Sequence, residues 1–359
     1  MLIAAAGALL LAMIAAVAVK LDSSGAPTVR VAPNSVAEID VRTGRVVGVA
    51  SVGVGPGPVV FGSGSLWVAN LDDQTISRVD PSSLRTLKTI SLPAAPTGLA
   101  ASADGVWVVE PNANPAQSSV SVSRIDSEFN TPGAPVQIPD LVPDDPGAIA
   151  AQGNSVWVAP ANGLLTRLDA VTGRPQRQVD PNASPSGIAV GFGAVWLTDV
   201  DAGNVIRVDS SGLVTSFPVG NGPTGIAVGE GGVWVVDSLD ETVVRLDPDT
   251  GAVTAIIHVG RSPSGLAVGD GSVWVAISGD GTVTRINPTT HKATTISVGG
   301  SPQGLTVAAG RVWVTVDAQS IPPTNAGPGG GTLRMVSFDD VDSMDPAGRA
   351  SHFLCKRCG

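Results

Sequence analysis

The chain predicts an all-β protein, a β-propeller of seven four-stranded antiparallel blades, closed by N-terminal strands pairing with the C-terminal blade. Three observations carry this. All seven tryptophans stand eleven residues after a proline, in the pairs Pro56/Trp67, Pro96/Trp107, Pro146/Trp157, Pro185/Trp196, Pro223/Trp234, Pro263/Trp274 and Pro302/Trp313. Successive tryptophans lie 40, 50, 39, 38, 40 and 39 residues apart, the length of one four-stranded blade with its turns. The chain ends are also complementary. After Trp313 the seventh unit has two strand-like runs and no clear third and fourth, whereas residues 35–40 (SVAEID) and 46–52 (VVGVASV) match a third and fourth with nothing before them. Two strands from each end complete one blade and remove the open edges of the ring.

In chain order, residues 2–19 are consecutive apolar or glycine residues ended by Lys20. A helix of that length spans about 27 Å, just short of a bilayer core of about 30 Å. Residues 1–20 are expected to be a signal-anchor or a signal peptide, with Ala16, Val17 and Ala18 as a small-residue cleavage site. Either places the rest of the chain outside the cytoplasm, membrane-anchored or secreted. Residues 21–33 read as a linker, residues 34–317 as the propeller, residues 318–331 as a Pro/Gly linker and residues 332–359 as a tail or the start of a further domain.

The fifth unit shows the blade pattern most clearly: residues 225–228 (GIAV), 232–236 (GVWVV), 242–246 (TVVRL) and 253–259 (VTAIIHV). The separators are turn chemistry, with Gly supplying positive φ, Asp capping its own turn and Pro248 fixing φ. The first strand of each unit, innermost in the ring, is dominated by Gly, Ala and single aliphatics, as expected where seven strands crowd one axis. The second carries the tryptophan between aliphatics, an apolar run suited to a sheet covered on both faces. Trp67, Trp107, Trp157, Trp196, Trp234, Trp274 and Trp313 are therefore expected to be structural, packing blade against blade. The third strand carries Arg78, Arg124, Arg167, Arg207, Arg245 and Arg285, each followed one aliphatic later by Asp or Asn; Glu38 takes that place in the N-terminal strand. A feature repeated six times is expected to be packing, an arginine spanning two blades to a carboxylate such as Asp80 or Asp247.

The net charge of −10 and the lack of a basic stripe disfavour nucleic acid as a partner. Charge is distributed unequally over the two faces of the ring. The loops between second and third strands, with the crossovers between blades, hold Asp72, Asp73, Asp199, Asp201, Asp237, Asp240, Glu241 and Asp280, together with Glu110, Asp140, Asp144, Asp145, Asp180 and Asp317, against the single base Arg261. The opposite face holds Arg42, Arg45, Arg85, Lys88, Arg174, Arg177, Lys292 and Arg311. The first eight acidic residues are the candidate ligand site, suited to a cationic small molecule, a basic peptide or a metal; the alternative is that Asp forms turns there. No loop has the spacing of a calcium loop, and no metal site, cofactor or catalytic residue is assigned. The long third spacing reflects extra residues in 112–119 and 126–145, either a distinctive site or a surface loop. Cys355 and Cys358 form a lone C-x-x-C with no second pair, outside the propeller.

The repeated phrase P-x-G-[IL]-A-V-G-x-G-x-V-W-V followed by R-[VIL]-[DN]-P resembles the bacterial YncE-like and virginiamycin B lyase-like seven-bladed propellers over about 280 residues. The resemblance implies the propeller fold. For the lyases it also implies elimination by a histidine pair and a glutamate around magnesium, but the only histidines are His258 on an outermost strand, His291 in a turn of the other face and His352 beyond the ring. No catalytic position carries over. A second resemblance, to the opening of family 5 extracellular solute-binding proteins of peptide importers, rests on residues 330–336 (GGTLRMV) and 340–347 (DVDSMDPA); from Arg349 onward the chain departs from it. The expected function is thus an extracytoplasmic, non-catalytic binding or scaffold module, part of a fusion with such a solute-binding domain and tethered to the membrane through residues 1–20. Its partner is an unidentified small molecule, peptide or protein, and the alternative is a metal-dependent lyase acting on the acidic face.

Overall fold

In the computed structural model, residues 29–112, 119–139, 147–161 and 163–318 are described. Contacts divide the chain into two units, Met1–Gln319 and Ser320–Gly359. The signal-anchor or signal peptide and the solute-binding-like segment lie outside the described residues. Among the described residues no helix is long and apolar enough to cross a membrane.

The strands form seven antiparallel sheets, and in the ring each consists of consecutive strands except one. That one is composite: its order is Arg45–Ser51, Ser35–Asp40, Arg311–Asp317, Ser301–Ala308. The closing pair runs in unbroken register from Ser35 opposite Val316 to Asp40 opposite Arg311. The predicted closure is therefore the observed one, with the outermost strand starting one residue earlier than the sequence suggests. The fifth blade comprises Pro223–Gly229, Gly232–Asp237, Thr242–Leu246 and Val253–His258. Its innermost strand starts two residues before the aliphatic run, because the proline joins the sheet through a bulge between Pro223 and Gly225.

The glycine that ends the equivalent bulge in the fourth and sixth blades shows why glycine recurs. A Cβ at Gly187 would lie 2.5 Å from the Thr224 carbonyl oxygen of the next blade, and one at Gly265 would lie 2.2 Å from that of Gln303. Innermost strands approach one another through backbone there, so a side chain has no room.

Every tryptophan faces the following blade. Trp67 joins a cluster with Leu99, Val106 and Val108, and Trp234 one with Val273, Val275 and Ile286. Trp313 closes the circle against Val59, Leu66 and Val68 of the first blade. Six of the rings are fully buried, and Trp157 is half-buried. Each buried indole contributes roughly 4–6 kcal/mol as an upper estimate from about 150–250 Å² of apolar surface.

The arginine prediction needs a correction. The guanidinium of Arg78 lies 5.0 Å from the Trp67 ring centroid, and equivalent stacks occur for Arg167, Arg207, Arg245 and Arg285. Arg78 does span two blades, but it donates to the carbonyl of Ser127 (2.5 Å) and to Asn130 in the next blade's outer turn. Arg285 likewise donates to the carbonyl of Val41. The carboxylates expected as partners are occupied: Asp80 accepts the N–H groups of Ser82 and Ser83, and Asp247 those of Asp249 and Thr250. These turn bonds hold both carboxyls below the usual range. An aspartate two residues after the arginine is better used closing the turn it begins.

Part of the extra length in the second blade is absorbed in its outer edge. Thr131–Pro132 and Val136–Pro139 both pair with Ser119–Asp126, so one outer strand is split in two. Residues 113–118 and 140–146 lie outside the described set.

Candidate functional site

The acidic face is built by two positions of the repeat, three and six residues after each tryptophan. The first ends the second strand and lies under the crossover entering its blade: Asn70, Glu110, Pro160, Asp199, Asp237, Ile277 and Val316. Backbone proximity shows the equivalence, since a Cβ at Gly53 would meet Asn70, one at Gly220 Asp237, one at Gly260 Ile277 and one at Gly300 Val316. Aliphatic residues serve in two of these blades, so filling that space is the basic task of the position. Where it is acidic, burial has an electrostatic cost. Glu110, 2% exposed, is pushed up to about 7 by burial, against which the N–H of Ala94 acts. Asp237, 1% exposed, is pushed up to about 6 by burial and by the neighboring Asp240. One carboxyl oxygen of each is buried without a partner.

The second position is a latch. Asp73 accepts the N–H of Val54 at 2.7 Å, Asp240 that of Asn221 at 3.0 Å and Asp280 that of Arg261 at 2.9 Å. In each case the donor lies two residues before the blade's proline, so the carboxylate fastens the crossover to the loop beneath it. The bonds from Asn221 and Arg261 hold Asp240 and Asp280 below the usual carboxylate range.

Aspartate holds this position in three of the seven blades; Ala113 and Gln319, which also replace it, lie outside the described residues, and the two replacements among the described residues are Gly163 in the third blade and Ala202 in the fourth. Both line a cleft of about 750 Å³ with Pro139, Leu164, Asp180, Ala183, Ser184 and Asp199, together with Asn182 and Asp201. The crossover into the fourth blade is secured differently, Asp180 accepting the N–H of Asn182 at 2.8 Å. It closes on itself and leaves the space beneath it open. Asp199 is 5% exposed and accepts the N–H of Ala202 at 3.3 Å. Asp201 is exposed and has no hydrogen bond among the described residues.

Of the eight candidate residues, the structure brings Asp199 and Asp201 together in this cleft and disperses the others. Asp73, Asp240 and Asp280 fasten crossovers, Asp237 is buried under one, Asp72 lies beside Gly55 and Glu241 is on the surface. Asp180, outside those eight, joins the cleft. Asp140, Asp144 and Asp145 lie outside the described residues. The opposite face is mixed rather than basic, because its turns, those with Arg85 and Arg174 among them, also contain Asp80, Asp126, Asp169, Asp209 and Asp247. Among the described residues no three His, Cys, Asp or Glu side chains converge as metal ligands. His258 is exposed on an outermost strand, and His291 sits edge-on to Trp234 on the other face.

No family model matches the chain, and no curated protein matches it. Its structure is similar to that of a streptogramin B lyase at 22% identity, covering 74% of this chain and 91% of that one with a TM-score of 0.62. Selenomethionine-substituted virginiamycin B lyase from Staphylococcus aureus is similar at 19% identity, with 78% and 98% covered and a TM-score of 0.61. Hydrazine synthase from Kuenenia stuttgartiensis is similar at 17% identity, with 74% and 89% covered and a TM-score of 0.56. These likenesses share the propeller and extend across unrelated chemistries, so they speak to fold.

Proposed function

We propose that this chain is an extracytoplasmic, non-catalytic propeller that binds a small molecule or peptide at its acidic face. The observation that carries the reading is the unlatched cleft between the third and fourth blades. It is a concave site with polar groups on its wall, at two successive blades without the latch. The apolar segment of residues 2–19 supports delivery outside the cytoplasm, and residues 330–347 support an association with a peptide-type solute-binding domain. The propeller then presents or captures a ligand beside a transport component.

The similarity to the lyases favors a second reading, metal-dependent elimination on the acidic face. Asp199 and Asp237 are the acids best placed to serve such chemistry, being buried at equivalent positions of adjacent blades. Incubation of the purified chain with a type B streptogramin and magnesium, followed by mass spectrometry, separates the two. The binding reading expects intact antibiotic. Linearised product, lost on Asp199→Asn or Asp237→Asn, would replace it with the lyase reading. Localisation is checked by fractionating cells that express the full chain, with recovery in the cytosol counting against delivery outside. Translation of the coding DNA beyond residue 347 in each frame checks the solute-binding association.

A further inference from the structure

We propose that the cleft between the third and fourth blades takes an organic cation, an ammonium or guanidinium group carried on a compact apolar body. This rests on the binding reading above and specifies the ligand for it.

The lining has two chemistries. Leu164, Ala183, Ala202 and Pro139 give it apolar surface, and Asp180, Asp199 and Asp201 give it three carboxylates, with no Lys, Arg or His among the described residues that line it. Nothing in that wall compensates an anion, and a neutral ligand would leave the carboxylates without a counter-charge. A cation answers both deficits.

The carboxylates are held ready. Asp180 and Asp199 each commit an oxygen to a local N–H, from Asn182 and Ala202 respectively, which fixes their orientation. Glu110 and Asp237 bury an unpartnered oxygen, whereas Asp199 seals none away. Its charge therefore sits in a poorly solvated wall and remains reachable from the cleft, where attraction is screened less than at the surface. The volume of about 750 Å³ falls within the range of small-molecule pockets, about 300–1,000 Å³.

The test is calorimetric titration of the full chain with three matched probes: phenethylammonium, phenethyl alcohol and phenylacetate. The cation is expected to bind at least tenfold more tightly than either other probe and to weaken as salt is raised. Asp199→Asn should reduce its affinity at least tenfold. The exposed Asp201→Asn, which leaves the fold untouched, should reduce it at least threefold, while Asp73→Asn, a latch variant elsewhere on the face, should not change it. Equal binding of all three probes, or cation binding indifferent to Asp199 and Asp201, overturns the assignment. Binding of the alcohol alone overturns the cation class and leaves the binding reading standing; silence from all three overturns the cation assignment as well.

Discussion

Closure of the ring uses a charge arrangement found in no other blade, and exchanging it should be self-correcting. In six blades the residue paired with tryptophan across the second and third strands is arginine, as Trp67 opposite Arg78 and Trp274 opposite Arg285. The arginine Nε donates to a serine two residues before the tryptophan in three of them, Arg78 to Ser65, Arg167 to Ser155 and Arg285 to Ser272. In the composite blade Trp313 is opposite Glu38, and Arg311 occupies the serine position. Arg311 donates to Glu38 and to Asp40, both at 2.7 Å. The pair is thus reversed where the two chain ends meet. An N-terminal strand carrying Glu38 is matched to the strand carrying Arg311 and mismatched to the serine-bearing strands of the other blades.

Glu38→Arg puts two guanidinium groups in one small space. Losing a charge-assisted hydrogen bond costs about 1.5–3 kcal/mol. Two like charges about 5 Å apart repel by about 3 kcal/mol at an effective dielectric of about 20. Arg311 is 38% exposed and can swing into water, so roughly half of that total is expected, about 2–3 kcal/mol. For a domain of this size that corresponds to a fall in Tm of roughly 5–10 °C. Adding Arg311→Ser recreates the arrangement of Arg78 and Ser65, and the double variant should recover to within about 1 kcal/mol of the parent. Arg311→Ser alone should be destabilising, since it leaves Glu38 half-enclosed without its partner. Urea melts of the four proteins supply the cycle. If the losses simply add, the reversed pair is not a coupled unit and the closure argument fails.

Removing a ring from between blades should be costly where it is enclosed: Trp234→Ala is expected to lose about 3–5 kcal/mol in urea unfolding, and Trp157→Ala, half-buried, distinctly less. Glu110 and Asp237 give a pH dependence of opposite sign to acid denaturation. Between its ordinary 4.5 and about 7, Glu110 is protonated when folded and ionised when unfolded; its stabilisation is complete below 4.5 and is lost as pH rises through about 7. Asp237 does the same between 3.8 and about 6. Glu110→Gln should therefore flatten the fall in Tm between pH 5 and 8, and an unchanged profile would remove the buried acid as its cause. Ala202→Asp should supply the missing latch to the crossover containing Ala183, raising Tm and narrowing the cleft, as checked by calorimetry and crystallography.

The architecture was legible because its determinants are local and repeated. A proline, a tryptophan eleven residues on and turn residues between them recur in phase, so each unit reports the same strand boundaries. Closure was legible because two half-blades at opposite ends have complementary deficits. The candidate site was legible only as a charge distribution. Counting acids by loop identified the face, but could not tell Asp240, which fastens the crossover at Asn221, from Asp201, which has no hydrogen bond among the described residues. That difference depends on whether a backbone N–H from a residue nineteen positions away meets the carboxylate. The same limit explains the misassigned arginine partners: Asp80 is two residues from Arg78 in sequence, yet its oxygen turns toward Ser82 and Ser83. Part of a signal for the cleft was present in the sequence, in the Gly163 and Ala202 that stand six residues after their tryptophans where three blades have aspartate, but Ala113 and Gln319 stand there as well, so the pattern did not single out the cleft.

The repeat and the site are therefore related by subtraction. Each latch consumes a carboxylate and an N–H that would otherwise face solvent, and the ring gains a fastened crossover in return. In the fourth blade, where Ala202 replaces the aspartate, the crossover containing Ala183 is without that fastening. Asp180, Asp199, Ala183 and Ala202 line the cleft there. At the cleft the positions three and six residues after tryptophan are Pro160 and Gly163 in the third blade and Asp199 and Ala202 in the fourth, whereas in the fifth a buried Asp237 lies beneath a crossover that Asp240 fastens.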